Sequence, residues 1–173
     1  MVPLKDAEPD EDERPRGKLY LTSRGAERLR DELKHLLNSE RPKVTAEVSA
    51  AAAQGDRSEN AEYIYGKKRL REIDRRLYFL KKRLEISTVV DPTEHKDASR
   101  IFFGATVTLQ NEEDAVRTTY QIVGPDETDT KGGRISVESP IGRALLGRKK
   151  GETVTVHRPK GEVDLTVVAI KYV

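Results

Sequence analysis

Two carboxylates three residues apart, Asp56 and Glu59, lie in a short polar stretch, Gly55-Asp56-Arg57-Ser58-Glu59-Asn60, between two long segments of helical pattern. Where a turn passes into a helix, that spacing can place both carboxylates on one face. One reading is a capping box, in which Asp56 accepts from first-turn amides and Glu59 reaches back to the cap. The other is a half-site for a hard divalent cation. Two carboxylates cannot complete a Mg²⁺ shell, so a partner would have to supply the rest. Spacing alone favours the cap, because nearly every helix needs one.

A second group of chemistry-bearing residues follows at once. Residues 67–83 hold nine basic residues and two acidic ones, Glu72 and Asp74. A solvated helix face usually balances its charges in i,i+4 pairs, and this one is strongly one-sided. Lys67, Lys68, Arg71 and Arg75 fall on adjacent helical positions, a stripe leading toward the carboxylates with Arg57 at its end. Such a stripe suits a phosphate backbone, although a solvated outer face would also account for it.

Other chemistries lack their residues. There is no cysteine, which excludes disulfides and thiolate zinc sites. His35, His95 and His157 have neither metal-ligand spacing nor a neighbouring nucleophile motif. No glycine loop suited to cradling phosphate is present, so no self-contained active site can be drawn. Mean hydropathy is −0.71, and charged residues make up 36% of the chain. That is too polar for one large core and suits a long helix pair with a small domain. No apolar run reaches the length needed to span a bilayer, and the N-terminus has no apolar signal core. The expectation is a cytoplasmic protein.

The elements that must position these residues can be read from periodicity. Residues 1–17 carry three basic and six acidic residues and are expected to be a disordered acidic extension. Residues 18–90 carry seventeen basic and eleven acidic residues, and residues 91–173 twelve and thirteen, so positive charge is concentrated in the middle block. A helix is expected from residue 23 to about 53, capped by Thr22 or Ser23, with a stripe of Leu29, Leu33, Leu36 and Leu37. Pro42 should kink it, and Val44, Val48, Ala51 and Ala52 resume the stripe. A second helix is expected over 59–86. Its seam of Tyr63, Leu70, Leu77 and Leu84, interleaved with Ile73 and Leu80, has Gly66 as the empty position. The short turn between them implies an antiparallel hairpin with arms about 40 Å long.

Beyond residue 90 the period changes to that of strands, at Phe102–Leu109, Thr118–Val123, Arg134–Glu138, Thr153–His157 and Val163–Ile170. Ser139-Pro140 opens one short helix, Ser as cap and Pro at the first position, ending at Gly147. The overall class is α+β: a coiled-coil hairpin over 18–90 with its tip at 55–60, then a small, mainly antiparallel sheet domain over 91–173.

The run Gly55-Asp56-Arg57-Ser58-Glu59-Asn60-Ala61-Glu62-Tyr63, followed by Lys67-Lys68-Arg69-Leu70-Arg71-Glu72-Ile73-Asp74-Arg75-Arg76, resembles the hairpin of the Gre family of transcript-cleavage factors. Arg57-Ser58 is the choice of the GreB branch. Glu40-Arg41-Pro42, Phe102-Phe103-Gly104 and Ser139-Pro140 with Arg143-Ala144-Leu145-Leu146 extend the resemblance over about residues 18–173. It implies an FKBP-like C-terminal domain that docks at the rim of the secondary channel of bacterial RNA polymerase, with the hairpin inside the channel. It implies that Asp56 and Glu59 help hold a Mg²⁺ shared with the polymerase, which they do not bind stably alone, and that Ser58 helps place the tip. Arg57, Lys67, Lys68 and Arg71 would face the 3′ end of backtracked RNA, and Glu138, Ser139 and Pro140 would dock. Glu138 stands where the family pattern has aspartate, and the acidic extension has no assigned counterpart. The factor would be a monomer without catalytic activity of its own, stimulating cleavage by the polymerase. A prolyl isomerase is disfavoured by the few aromatics after residue 90, and a plain RNA-binding coiled coil leaves the paired acids unexplained. A polymerase inhibitor without cleavage activity is disfavoured by the intact acid pair.

Overall fold

The computed structural model describes residues 18–55 and 60–173. The acidic extension over 1–17 therefore lies outside the described residues. Strand β1 (Leu19–Thr22) leads directly into helix α1 (Ser23–His35). Thr22 is the cap, its Oγ1 accepting from Gly25 N at 3.0 Å. A π-helical turn over Leu36–Glu40 joins α1 to α2 (Arg41–Ala52), and α3 (Ala61–Ile86) returns beside them.

The kink expected at Pro42 takes the form of that π-turn. Pro42, the second residue of α2, has no N–H and cannot serve the carbonyl one α-turn back. The wider turn resolves the misfit, with Arg41 N–H reaching back five residues to Leu36 O. The extra residue advances the helix face. Leu29 and Leu36 are buried, whereas Leu37, expected on the stripe, is exposed. Val44 and Ala51 then carry the buried line toward the tip.

On α3 the seam is as the spacing requires: Gly66, Ile73, Leu77 and Leu80 are buried, and Leu70 and Leu84 pack against the same core. A Cβ at Gly66 would stand 2.5 Å from Val48 Cγ2, so the empty position lets the arms approach closely near the tip. Three cross-arm ion pairs tie the antiparallel arms together. They are Glu32–Arg76 at 2.6 Å, Glu40–Arg69 at 3.2 Å and Arg41–Asp74 at 2.8 Å.

Strand β1 and its partner have no counterpart in the sequence reading. Strand β2 (Ser87–Val90) runs parallel to β1, Leu19 opposite Ser87 and Thr22 opposite Val90, so the hairpin begins and ends on paired strands. The second domain is a five-stranded sheet in the order β5-β4-β3-β7-β6. Its strands are β3 (Thr106–Asn111), β4 (Arg117–Val123), β5 (Arg134–Ser136), β6 (Thr153–Arg158) and β7 (Gly161–Lys171), with helix α4 (Pro140–Leu145) between β5 and β6. All neighbours are antiparallel except β4 and β5. The strand expected from Phe102 begins only at Thr106. Gly104, at φ 87°, turns the chain there, and Ala105 N bonds Phe102 O at 3.1 Å. Ile101, Val107, Leu109, Ile122, Leu145, Val156 and Val167 lie at the centre of the core.

Glu127 locks the two domains together. Its carboxylate is 5% exposed. Oε2 accepts from Thr22 N at 2.9 Å and Gly124 N at 3.0 Å, and Oε1 accepts from the Thr22 hydroxyl. A Cβ at Gly25 would overlap this carboxylate, so a side chain there would displace the lock. Beside it Arg83 pairs with Asp126 at 3.3 Å, and the Tyr20 and Phe103 rings meet at 5.6 Å.

Candidate functional site

Asp56, Arg57, Ser58 and Glu59 lie outside the described residues, and the site is built from what flanks them. On one side Gly55, at φ 137°, ends the first arm in a backbone conformation that favours glycine. On the other, Asn60 caps α3: its Oδ1 accepts from Tyr63 N at 3.1 Å. Its Nδ2 donates to Ala51 O, near the end of α2, at 2.7 Å. One amide thus serves both arms, satisfying an orphan donor of one helix and an acceptor of the other.

This corrects the start expected for the second helix. The second helix begins at Ala61 rather than at 59, and its cap is Asn60. Asp56 is four residues before that cap and, like Glu59, lies outside the described residues. Asn60 carried a sequence signal, since asparagine before an apolar-periodic run is a good cap, but the Asp-x-x-Glu pattern beside it was the stronger match.

The cationic stripe divides in two. Arg69 and Arg76 are drawn into the cross-arm pairs, Arg76 gripping Glu32 through two nitrogens at 2.6 and 2.9 Å. That bond lowers the Glu32 pKa and raises the Arg76 pKa. Arg83 faces Asp126 and Lys82 lies 3.9 Å from Glu85. Lys67, Lys68, Arg71 and Arg75 are exposed and form no ion pair with any described residue; Lys67 sits over the Tyr63 ring, 5.4 Å from its centroid. The four residues of the expected stripe, together with Lys81, are therefore left to outside anions, and the paired arginines hold the scaffold. Separating the two classes from sequence requires knowing which acids on the other arm face them.

At the far end of the molecule, Ser139 caps α4. Its hydroxyl donates to Ser136 O at 2.6 Å and accepts from Gly142 N at 3.0 Å, which fixes the turn and leaves Glu138 and Pro140 exposed. A cavity of about 120 Å³ opens on the sheet, with Tyr120 its one aromatic among apolar Leu109, Ile141 and Leu165. It is well below the ~300 Å³ of ordinary ligand pockets. No cluster of three or more His, Asp or Glu among the described residues is placed to hold a metal ion.

Two family models cover nearly all of the described chain: "Transcription elongation factor, N-terminal" over residues 19–89 and "Transcription elongation factor, GreA/GreB, C-term" over 96–172. The chain belongs to the GreA/GreB family. It is 51% identical over 153 residues to a transcription elongation factor GreB of Yersinia pestis, covering 88% of each chain. It is 52% identical over 159 residues to a GreB of Pseudomonas aeruginosa, covering 92% of this chain and 94% of that one. Among solved structures, the GreA factor homolog 1 of Thermus thermophilus is 26% identical, covers 89% of this chain and 99% of its own, and gives a TM-score of 0.41. A superposition that low adds nothing to the fold. The junction of the two family models falls between β2 and β3, so the hairpin and the sheet of this Gre-family chain are each matched on their own.

Proposed function

We propose that this Gre-family chain is a transcript-cleavage factor: it enters the secondary channel of RNA polymerase and stimulates cleavage of backtracked RNA by the polymerase. The observation that carries the reading is the division of cations on α3. Paired arginines stiffen a hairpin about 40 Å long, and Lys67, Lys68, Arg71 and Arg75 remain available along its outer side for a polyanion. Membership in a family of transcription elongation factors supports a polymerase partner, reached where the polymerase works, in the cytoplasm, by a single copy of the chain.

Asp56 and Glu59 then act as a donated pair of ligands. Carboxylates suit a hard cation such as Mg²⁺, and with only two donors the polymerase must supply the others. A divalent ion held there would supply one half of two-metal chemistry, in which one ion activates water and the other stabilises the leaving oxygen of an in-line displacement. Asp56 and Glu59 supply negative charge that raises its occupancy and orient the attacking water. Ser58 positions the pair, and Arg57, Lys67, Lys68 and Arg71 hold the extruded 3′ end against slippage. Glu138 and Pro140, presented by the Ser139 cap, form the docking contact at the channel rim.

Incubating the full chain with a backtracked elongation complex and Mg²⁺ should shorten the RNA, whereas the chain with Mg²⁺ and naked RNA should leave it whole. Cleavage of naked RNA by a nuclease-free preparation, or no shortening in the complex, would overturn this reading.

A further inference from the structure

The outward side of α3 is not uniformly cationic. Steps of four and three from Ile64 lead to Lys68, Arg71, Arg75, Tyr78 and Lys82, all exposed. This is the spacing of the buried seam, turned to the opposite side of the helix. Ile64 is 51% exposed and Tyr78 67%. The adjacent ring shows the contrast: Phe79 packs against the hairpin core and is flanked by the Arg76 and Arg83 guanidinium groups, each 5.0 Å from its centroid. Tyr78 makes no ring contact, hydrogen bond or cation contact with any described residue. A single exposed tyrosine needs no explanation. One in line with the unpaired Arg71 and Arg75 is different, because phosphate-gripping cations beside an aromatic face are the make-up of a single-strand nucleic-acid site.

We propose that Tyr78 is a stacking platform for a base of single-stranded RNA whose phosphates follow Lys68, Arg71 and Arg75. The proposal rests on the reading of this face as the RNA-facing one. It adds a contact indifferent to base identity, since every base has a stacking face. From Asn60 to Tyr78 the helix rises about 27 Å, so the ring meets RNA only when several nucleotides have been extruded past the tip.

The test compares the full chain and its Tyr78→Ala and Tyr78→Phe variants for binding to a labelled RNA oligonucleotide and to the same oligonucleotide with abasic positions. Tyr78→Ala should bind ordinary RNA about thirtyfold more weakly, the effect of one mid-range base–aromatic stack. It should bind abasic RNA as the unmodified chain does, and Tyr78→Phe should keep the preference for bases. On backtracked complexes Tyr78→Ala should cost cleavage far more with long extruded RNA than with short. An equal loss on both oligonucleotides, no loss at all, or a Phe variant as weak as Ala would overturn the stack. So would a defect confined to polymerase binding, which would assign the ring to the protein wall of the channel. If the unmodified chain stimulates no cleavage, the transcript-cleavage reading fails by itself, and the oligonucleotide comparison still decides the role of Tyr78.

Discussion

The hairpin and the sheet domain solve opposite problems with similar residues. In the sheet domain, thirteen buried residues from five strands, one helix and the segment before β3 gather into a single cluster, so each is backed on several sides. The hairpin spreads eight buried residues along its length and thins to Ala51, Val48 and Gly66 at the tip. It compensates with exposed cross-arm ion pairs, each worth little at the surface. Compactness gives the sheet its stability. The hairpin gives up compactness for reach, and its working end lies farthest from either core.

If stability and activity are separated in this way, substitutions should separate too. The largest effect is expected for Asp56→Asn and Glu59→Gln. With α3 capped by Asn60, both should melt with the unmodified chain, yet lose cleavage stimulation by roughly 100-fold, as loss of metal-binding groups does. Raising Mg²⁺ should recover part of it. A cleavage time course across a metal titration, beside a thermal melt, checks both halves, and full activity in Asp56→Asn would erase the contrast. The reverse pattern is expected for Ile122→Ala in the sheet core. It should cost about 3 kcal/mol, read from denaturant unfolding, while the cleavage per bound molecule stays unaltered.

Asn60→Ala tests the boundary between the two behaviours, because Asn60 belongs to the scaffold and touches the tip. Loss of the cap should cost about 1 kcal/mol. Freeing the Ala51 carbonyl from its clasp should also lower cleavage several-fold. Asn60→Asp, which keeps the acceptor and loses the donor, should restore the melt more than the cleavage. If the two recover together, the clasp across the arms has no separate role.

The smallest effect is a pH dependence of the hairpin. The Arg76 hydrogen bond depresses the Glu32 pKa in the folded chain. Its contribution is therefore present above the unfolded glutamate value and is lost as pH falls through the lower folded value. Because both groups are substantially exposed, the expected loss is a few tenths of a kcal/mol. It should vanish in Glu32→Gln, as difference melts through the acid range would show. An equal acid response in that variant would place the titration elsewhere.

How much of this was legible in the sequence follows the range of each interaction. The α3 seam, the Thr22 and Ser139 caps and most strands rest on neighbours a few residues apart, and periodicity conveys them. The pairing of β1 with β2 joins two four-residue segments at opposite ends of the hairpin, too short and too distant to leave a pattern. Glu127 reads as one more loop acid; only its burial against Thr22 and Gly124 makes it a lock. The strand drawn from Phe102 failed because two apolar rings outweighed Gly104, whose backbone turns the chain. At the site, the residues of the stripe were legible, but their division was not. Glu32 and Glu40 neutralise Arg76 and Arg69 across the arms, and no i,i+4 rule reaches that far.

The paired strands at the base also make the hairpin a ruler of adjustable length. Its incoming and outgoing chains are fixed side by side by β1 and β2, and Glu127 anchors them to the sheet. The arms can therefore change length without disturbing either end. Adding seven residues to each arm would preserve the seam and carry the tip about 10 Å farther from an unaltered base. Reach can thus be retuned independently of the docking domain, and a factor built this way can be fitted to a channel of another depth by changing only its middle.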